Sequence, residues 1–455
     1  MGDAMEIRTV GVEDVLRARD ARVKRQRALI SRHGAPLISL TMNIAGAVKR
    51  DAVIQEGFFE GVRRVEKQLA WHGATVLEAV RTLDFTGCEQ IWAVRAEAAE
   101  LKVWMRAVEE ADALGRLLDV DVIGADGAKL ERSAPRRCLI CGGPAQFCAR
   151  SRVHSGEELY HRARQILTEW RAGERAAAVA ERAQRALLTE ALVAPKPALV
   201  DRENSGAHRD MDIFSFAGSA AALRVYFEAC ARLGGEAAGD EDAPEDVLER
   251  LRFLGRRAEE DMLRATGGAN THRGAIFSLG LLCWAAGTPC ADVEELTGRA
   301  ARIAGAALRE LERLTPEQAR TGGERQYLEF GLTGVRGEAA SGFPSVRGCA
   351  LPALREALAK GMNLNDACLR ALLALMARVD DSNILRRGGM ECLRRVQAQA
   401  GALLARGCGE AELRALDARL VVEGVSPGGS ADLLAVACFL HFLEEDHILE
   451  GEVQP

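Results

Sequence analysis

The chain has 455 residues, 48 % hydrophobic but only 5 % aromatic, which makes it too long for one ordinary core and favours packed helices over a sandwich or barrel. Its net charge of −6 comes from arginine and glutamate interleaved throughout, so no basic face for nucleic acid is expected, and no stretch reaches the roughly 18 uncharged apolar residues of a membrane span. The N-terminus, MGDAMEIRTVGVEDVLRARD, is charged where a signal peptide needs an apolar run, and Glu6 stands where a myristoylation site needs a hydroxyl. The expectation is a cytoplasmic protein whose twelve cysteines are reduced.

In chain order, a charged helix is predicted over about 12–32, then a strand over 36–44. A helix follows over 53–71, with Phe58, Val62, Val65 and Leu69 on one face. Strands over 75–83 and 89–94, a helix over 97–113 and a strand over 115–123 complete a β-α-β-β-α-β order, the ferredoxin-like pattern shared by nucleotidyl-transferring palm domains. A cysteine-containing loop, 138–148, comes next. Beyond about residue 154 no strand is convincing, and an alanine-rich charged helix over 170–185 connects to helices over about 212–233, 244–264, 272–286, 291–313, 351–360, 365–379, 390–405, 410–422 and 431–444. The fold expected is multidomain: an α+β unit with a ferredoxin-like, nucleotidyltransferase-like core over residues 1–175, then an all-α unit over 176–455.

In the first unit Asp119 and Asp121 alternate with Leu118, Val120 and Val122, and strand side chains switch faces at each step, so both carboxylates point the same way. Without a cation one of them would tend to hold its proton. With magnesium both stay ionised and suit in-line displacement at phosphorus, while the bland alternative is a solvated strand face. Asn43 and Lys49, in MNIAGAVK, are placed to address a phosphate or the incoming nucleophile. Cys138, Cys141, Cys148 and His154 offer a zinc set of irregular spacing, against the alternative that Arg136, Arg137, Arg150 and Arg152 make this segment an anion-binding surface.

The helical part is interrupted by five polar islands, 195–212, 265–280, 334–346, 380–389 and 426–434, each joining glycine or proline to an acid, an amide or a basic group. Buried carboxylates and amides are costly unless something charged satisfies them, so the islands are expected to converge on a cation and a polyphosphate. Gly267 and Gly268 allow close backbone approach, and Thr271 is expected to cap the helix beginning at His272. Gly428 and Gly429 open a helix carrying Ser430 and Asp432, and helix N-termini attract phosphate. Asp380 and Asp381, with Asn383, Arg386, Arg387, Gly388 and Gly389, set carboxylates beside guanidiniums. Glu338 follows Arg336; His208, Arg209 and Asp210 form a mixed group; Lys196 lies between two prolines. Asp381, Asp432 and Glu338 rank first as magnesium ligands or general base.

The motifs PKP..VDR.N.GAHRDMD, ATGG.NTH.GAIFSLGLL, GEA.SG.P, LMA..DD.N...RGG and SPGGSADLL, over about residues 185–445, closely resemble the triphosphoribosyl-dephospho-CoA synthase (CitG) family. RDAR..RQ.ALI.RHG, MNI.G.VK, GRL.DVDVI and R.CLICG.PA..CARSR.HS resemble the apo-citrate lyase phosphoribosyl-dephospho-CoA transferase (CitX) family. The resemblance implies two reactions. The 2'-hydroxyl of 3'-dephospho-CoA attacks the anomeric carbon of ATP and expels adenine; then a serine of the citrate lyase acyl carrier subunit attacks the phosphate next to that ribose and pyrophosphate leaves. It implies Mg2+ as cofactor, the apo acyl carrier protein as partner, and ATP and dephospho-CoA as ligands of the island residues, among them Asp201, Asn204, Asn270 and Arg273. Asp381, Asp432, Glu338, Asn270 and His272 are the candidates for proton transfer, and Asp119 and Asp121 for the second metal. Arg273 stands where lysine is usual, and Ala45 and Ala47 where prolines are common. Alternatives are a malonate decarboxylase carrier as client, or a nucleotide-binding regulator without turnover.

Overall fold

The computed structural model describes residues 7–132, 135–236 and 243–450, so Met1–Glu6, which bore on the absence of a leader, lie outside the described residues. The chain divides into two compact units between Arg171 and Ala172.

In the N-terminal unit, helix α1 (Val12–His33) precedes strand β1 (Leu37–Met42), helix α2 (Ala52–Trp71), strands β2 (Thr75–Asp84) and β3 (Gly87–Arg95), helix α3 (Ala98–Glu110) and strand β4 (Leu118–Ile123). The strands form one sheet in the order β2-β3-β1-β4, every neighbouring pair antiparallel. Alternation sorts its two faces. Ile38, Leu40, Trp92, Val94, Val120 and Val122 bury against Phe58, Val62 and Val65 of α2 and Leu101 and Met105 of α3. On the opposite face Leu37, Ile91 and Ile123 pack on Leu29 of α1, and the same face turns polar where Thr41 pairs with Glu89 on one side and Asp119 on the other. β4 is shorter than predicted because Gly115–Leu117 wind into a 3-10 turn, whose first N–H donates to Asp112 at 2.8 Å. Two short helical elements complete the unit: α4 (Ala145–Ser151), which the sequence pattern did not suggest, and the first part of α5 (Gly156–Leu192). The connecting helix is thus far longer than its predicted 170–185 span.

The second unit is entirely helical among the described residues: the rest of α5, then α6 (Ile213–Glu236), α7 (Pro244–Ala265), α8 (Arg273–Ala285), α9 (Val293–Glu312), α10 (Gly322–Phe330), α11 (Gly334–Ala340), α12 (Leu351–Ala359), α13 (Leu364–Met376), α14 (Ser382–Arg406), α15 (Glu410–Glu423) and α16 (Gly428–Glu445). Three of these, α8, α13 and α16, are buried almost all round, as expected of alanine- and leucine-rich helices with no polar stripe. They are the centre of the unit, and α16 packs on both α8 and α13. At the C-terminal end of α8, the buried Arg175 guanidinium donates to the Ala286, Ile448 and Thr288 carbonyls at 2.8, 2.8 and 3.1 Å, satisfying acceptors that the helix leaves open.

The islands are less loop-like than the sequence pattern suggested. α14 begins at Ser382 rather than near residue 390 and runs through the fourth island, interrupted by Gly389 at φ 74°, a left-handed conformation that glycine adopts without steric cost. The third island contains α11, and the fifth is already helical from Gly428. Among the described residues no helix is long and apolar enough to cross a membrane.

Candidate active sites

The helical unit buries an ionic cluster between its most apolar helices. Lys196 has no exposed surface; its Nζ donates to the Glu190 carbonyl at 2.6 Å and pairs with the Glu190 carboxylate. Its backbone N–H donates to Asp201 Oδ2 at 2.8 Å, and Asp201 Oδ1 accepts the Glu203 and Asn204 N–H groups at 2.7 and 2.9 Å. The Asn204 side-chain oxygen takes the Gly206 N–H at 2.6 Å, while its amide reaches Asp417 of α15 at 3.4 Å. Asp201 and Asn204 therefore shape the first island as well as carrying polar groups into it.

Asp381 joins the fourth island to the fifth. As N-cap of α14 its Oδ1 accepts the Asn383 and Ile384 N–H groups at 2.9 and 3.4 Å; its Oδ2 accepts the Ser430 N–H and hydroxyl at 2.7 and 3.0 Å. Those four bonds fill the acceptor positions of a carboxylate. Asp381 is accordingly a tie between islands, and to ligate a metal it must release one of its donors. Gly428 lies beside the same contact, where a Cβ would sit 2.8 Å from Asn383 Nδ2. The first island closes on the same region: His208 Nε2 shares a 3.0 Å hydrogen bond with Ser426 Oγ, and Arg387 donates to the Ala207 and Gly424 carbonyls at 3.5 and 3.2 Å.

The second island joins through Asp432. Its carboxylate lies so close to the first turn of α8 that any side chain at Gly274 would collide with it. Burial, followed by the like charges of Glu190 and Asp381, pushes the Asp432 carboxyl well above its usual range, opposed by the Ala275 N–H. Burial likewise raises Glu190 against the attraction of Lys196, and raises Asp381 against its donors. His272 is buried at the N-terminus of α8, with Nδ1 2.7 Å from Ser219 Oγ and its ring edge-on to Phe216. Its Nε2 is shielded and without a partner. Burial, with Lys196 nearby, lowers its pKa to about 3, so the imidazole is neutral at physiological pH.

Asp432 thus lies close enough to Glu190 and Asp381 to feel both charges, while the one ammonium, Lys196, pairs with Glu190. Hard carboxylate oxygens in excess of positive charge fit a divalent cation such as magnesium. Of the N–H groups that open α8 and α16, Ser430 donates to Asp381, Arg273 to Asn270 and Ala275 to Asp432, and the helix dipoles favour negative charge at both starts.

Other predicted residues lie apart from this cluster. Glu338 accepts the Ser345 N–H and hydroxyl at 2.8 and 3.0 Å, with its carboxyl raised by burial. Arg336 pairs with Glu324 at 3.0 Å. Among the described residues no hydrogen bond or ion pair links Glu338 or Arg336 to Asp381 or Asp432, although α11 touches α8. Arg273 points outward to Glu259 at 3.0 Å, and Arg209, Asp210, Gly267, Gly268 and Gly388 are exposed. Thr271 is not the cap of α8: the helix starts one residue later than predicted, its Oγ1 has no partner, and Asn270 Oδ1 takes the Arg273 N–H at 3.3 Å. Sequence reasoning missed Glu190, Ser219 and Ser426. Glu190 had a signal, because in RALLTEALVA it falls three and four residues after Leu187 and Ala186 on the buried face of α5.

In the N-terminal unit Asp119 and Asp121 lie on one face of β4, across from Thr41 and Ser39. Each has its own cation, Arg136 at 2.9 Å from Asp119 and Lys129 at 2.6 Å from Asp121, so protein groups supply the neutralisation expected of metal or proton. Both remain partly exposed and open to a ligand. The Asn43 N–H donates to the Leu117 carbonyl at 2.7 Å, which fixes its backbone beside β4. Lys49 turns back to donate to the Ile44 carbonyl at 2.5 Å, and burial lowers its pKa. Arg150 is exposed on α4. Cys138, Cys141, Cys148 and His154 come together, their ligand atoms all within 4.8 Å of one another.

A buried acid cluster at paired helix N-termini in one unit, and a carboxylate pair beside basic groups on a sheet edge in the other, define a two-domain transferase acting on phosphorylated substrates. The family model of ATP:dephospho-CoA triphosphoribosyl transferase (CitG) matches residues 176–450, and that of apo-citrate lyase phosphoribosyl-dephospho-CoA transferase (CitX) matches residues 10–170. The chain belongs to both families and joins their two functions. Over 94 % of its length it is 33 % identical to "Protein CitXG" of Haemophilus influenzae, covering 96 % of that protein. Its helical half is 43 % identical to the 2-(5''-triphosphoribosyl)-3'-dephosphocoenzyme-A synthase of Pectobacterium atrosepticum and 45 % identical to that of Klebsiella pneumoniae, spanning 93 % and 88 % of those chains and 61 % and 56 % of this one.

Proposed function

We propose that the cluster around Asp432 is where the prosthetic group precursor is made and that Asp119 and Asp121 are where it is transferred to the carrier. In the helical unit, the 2'-hydroxyl of 3'-dephospho-CoA loses its proton to Asp432 and bonds to the anomeric carbon of ATP, while adenine leaves with the electron pair of the broken bond and takes up a proton from solvent. Asp432 accepts the proton in its ionised form, which a bound cation would favour against the burial and like charges that raise its carboxyl. Glu190 and Asp432 are the residues that would hold Mg2+, which supplies charge neutralisation for the triphosphate; Asp381 keeps Ser430 and the α16 N-terminus in place. Lys196 keeps the Glu190 carboxylate in place, and the positive ends of the α8 and α16 dipoles favour the phosphates. His272, held neutral, presents Nε2 as a hydrogen-bonding group. Glu338 supports the third island through Ser345.

In the N-terminal unit, a carrier serine displaces pyrophosphate at the phosphorus next to the ribose, with Asn43, Lys49 and Arg150 as phosphate contacts; Asp119 and Asp121 are the residues that would hold Mg2+, through the oxygens that Arg136 and Lys129 leave free. The β2-β3-β1-β4 antiparallel order supports reading this sheet as ferredoxin-like. Twelve free cysteines support a cytoplasmic setting.

The observation that carries the proposal is the Asp432 carboxylate, pressed on the α8 backbone with Glu190 and Asp381 close by. Purified chain given ATP, Mg2+ and dephospho-CoA should release adenine, and Asp432→Asn should not. Asp119→Asn should release adenine normally but leave apo-carrier unlabelled. Folded protein that releases no adenine, or an Asp119→Asn chain that has lost adenine release, sinks the assignment. Competing citrate lyase and malonate decarboxylase apo-carriers, with the products weighed, identifies the client.

A further inference from the structure

The segment between β4 and α5 is built like a metal knuckle. Cys138, Cys141, Cys148 and His154 follow the spacing C-x2-C-x6-C-x5-H, and the backbone folds to bring them together. The Cys138 N–H donates to the Gly143 carbonyl at 2.7 Å and the Gly142 N–H to the Cys138 carbonyl at 3.2 Å, closing a tight turn in which Arg137 bridges Pro144. Cys148 is buried on α4, and Arg152, at φ 48°, ends that helix so that the chain doubles back to His154. The Val153 N–H donates to the Cys148 carbonyl at 3.1 Å.

Two observations decide what this pocket suits. The Cys141 and Cys148 sulfurs are 3.5 Å apart, and tetrahedral geometry with Zn–S of about 2.3 Å sets sulfur atoms roughly 3.8 Å apart. His154 Nε2 is shielded from solvent and has no hydrogen-bond partner, a rare state for a buried imidazole nitrogen unless a ligand completes it. We propose that Cys138, Cys141, Cys148 and His154 bind one Zn2+ in a closed, four-ligand structural site. Three thiolates and one imidazole leave no open position for substrate, which separates this metal from any ion at Asp119 and Asp121.

The site also acts on the transferase centre. Arg136 lies two residues before the first ligand, and its Nη2 donates to Asp119 Oδ1 and to the Leu118 carbonyl, both at 2.9 Å. Arg116 holds the same segment by donating to the Arg137 and Cys138 carbonyls, each at 2.9 Å. Zinc fixes the knuckle, and the knuckle fixes Arg136 as a positioning residue for Asp119.

The test begins with metal content, which does not depend on the proposed reactions. Full-length protein purified without chelator should carry about one zinc per chain by mass spectrometry, and cobalt exchange should give the sulfur-to-cobalt charge-transfer absorption of a tetrahedral thiolate site. Cys148→Ser and His154→Ala should each weaken zinc retention at least about tenfold, while Cys88→Ser keeps it. Apo-carrier labelling should fall with zinc loss and adenine release should stay unchanged; Arg136→Lys should lower labelling with zinc retained. Should the ligand variants fail to fold, the cobalt spectrum of the wild-type chain decides. Zinc-free protein with no cobalt charge-transfer band, or full zinc content in a folded Cys148→Ser, His154→Ala double variant, overturns the site. Full labelling by folded, zinc-depleted protein overturns its positioning role.

Discussion

Replacing Asp381 with alanine removes the tie between two segments about fifty residues apart. The carboxylate is 1 % exposed and receives the Asn383 and Ile384 N–H groups on one oxygen and the Ser430 N–H and hydroxyl on the other. Alanine deletes the N-cap of α14, a loss of about 1 kcal/mol, and strands the buried Ser430 donors at roughly 1–3 kcal/mol. It also removes a carboxylate that burial disfavours and that repels Asp432, which offsets part of the loss. A net change of about 2 kcal/mol in local opening corresponds to roughly a 30-fold loss of hydrogen-exchange protection. Exchange measured by mass spectrometry should therefore speed up by that order in peptides covering 382–388 and 428–434 together, and stay unchanged in a peptide covering 118–123. Unaltered exchange at 428–434, with 382–388 accelerated, would refute the inference that Asp381 holds the α16 N-terminus.

Asp432 and His272 have opposite pH signatures. The folded chain retains the Asp432 proton that the unfolded chain releases near pH 3.9, so in metal-free buffer stability falls as pH rises from about 4 through the raised value. Asp432→Asn should be relatively more stable than wild type at pH 8 than at pH 5 in urea melts, and added Mg2+ with ATP should stabilise only the wild type; parallel pH profiles count against a raised Asp432. For His272 the unfolded chain takes up its proton near pH 6.5 and the folded chain only at about 3, so its contribution is complete above pH 6.5 and is lost as pH falls toward 3. His272→Gln should flatten that acid limb. Lys196→Met strands the buried Glu190 carboxylate at a cost of about 3–5 kcal/mol, and adding Glu190→Gln should recover much of it by calorimetry.

Local patterning revealed most of the elements and less of the site. The strand and helix order before Ile123 follows from period-2 and period-3.6 apolar spacing, which directly reports a buried face. α8 and α16 were visible as apolar runs, but α10, α11 and α4 were not, because short helices held by tertiary packing carry little periodic signal. The acids Asp381 and Asp432 stood out through their glycine-rich surroundings, yet their different situations did not. That Asp381 is saturated with donors while Asp432 is crowded by other carboxylates depends on contacts such as Ser430 to Asp381, 49 residues apart. Glu190 escaped because an acid within an alanine-rich helix looks solvent-facing until its phase is traced, and its partner Lys196 lies beyond the helix end. Glu338 looked equivalent to the other acids in sequence but spends both oxygens on Ser345.

The central claim is that each half of the chain performs a separate reaction at its own acids. The most direct measurement passes the filtered products of an Asp119→Asn chain, incubated with ATP, Mg2+ and dephospho-CoA, to an Asp432→Asn chain with apo acyl carrier protein, and weighs the carrier. The account predicts adenine in the first vessel and a carrier in the second heavier by one phosphoribosyl-dephospho-CoA group on serine. A carrier of unchanged mass despite adenine release in the first vessel, with both variants folded, would contradict it.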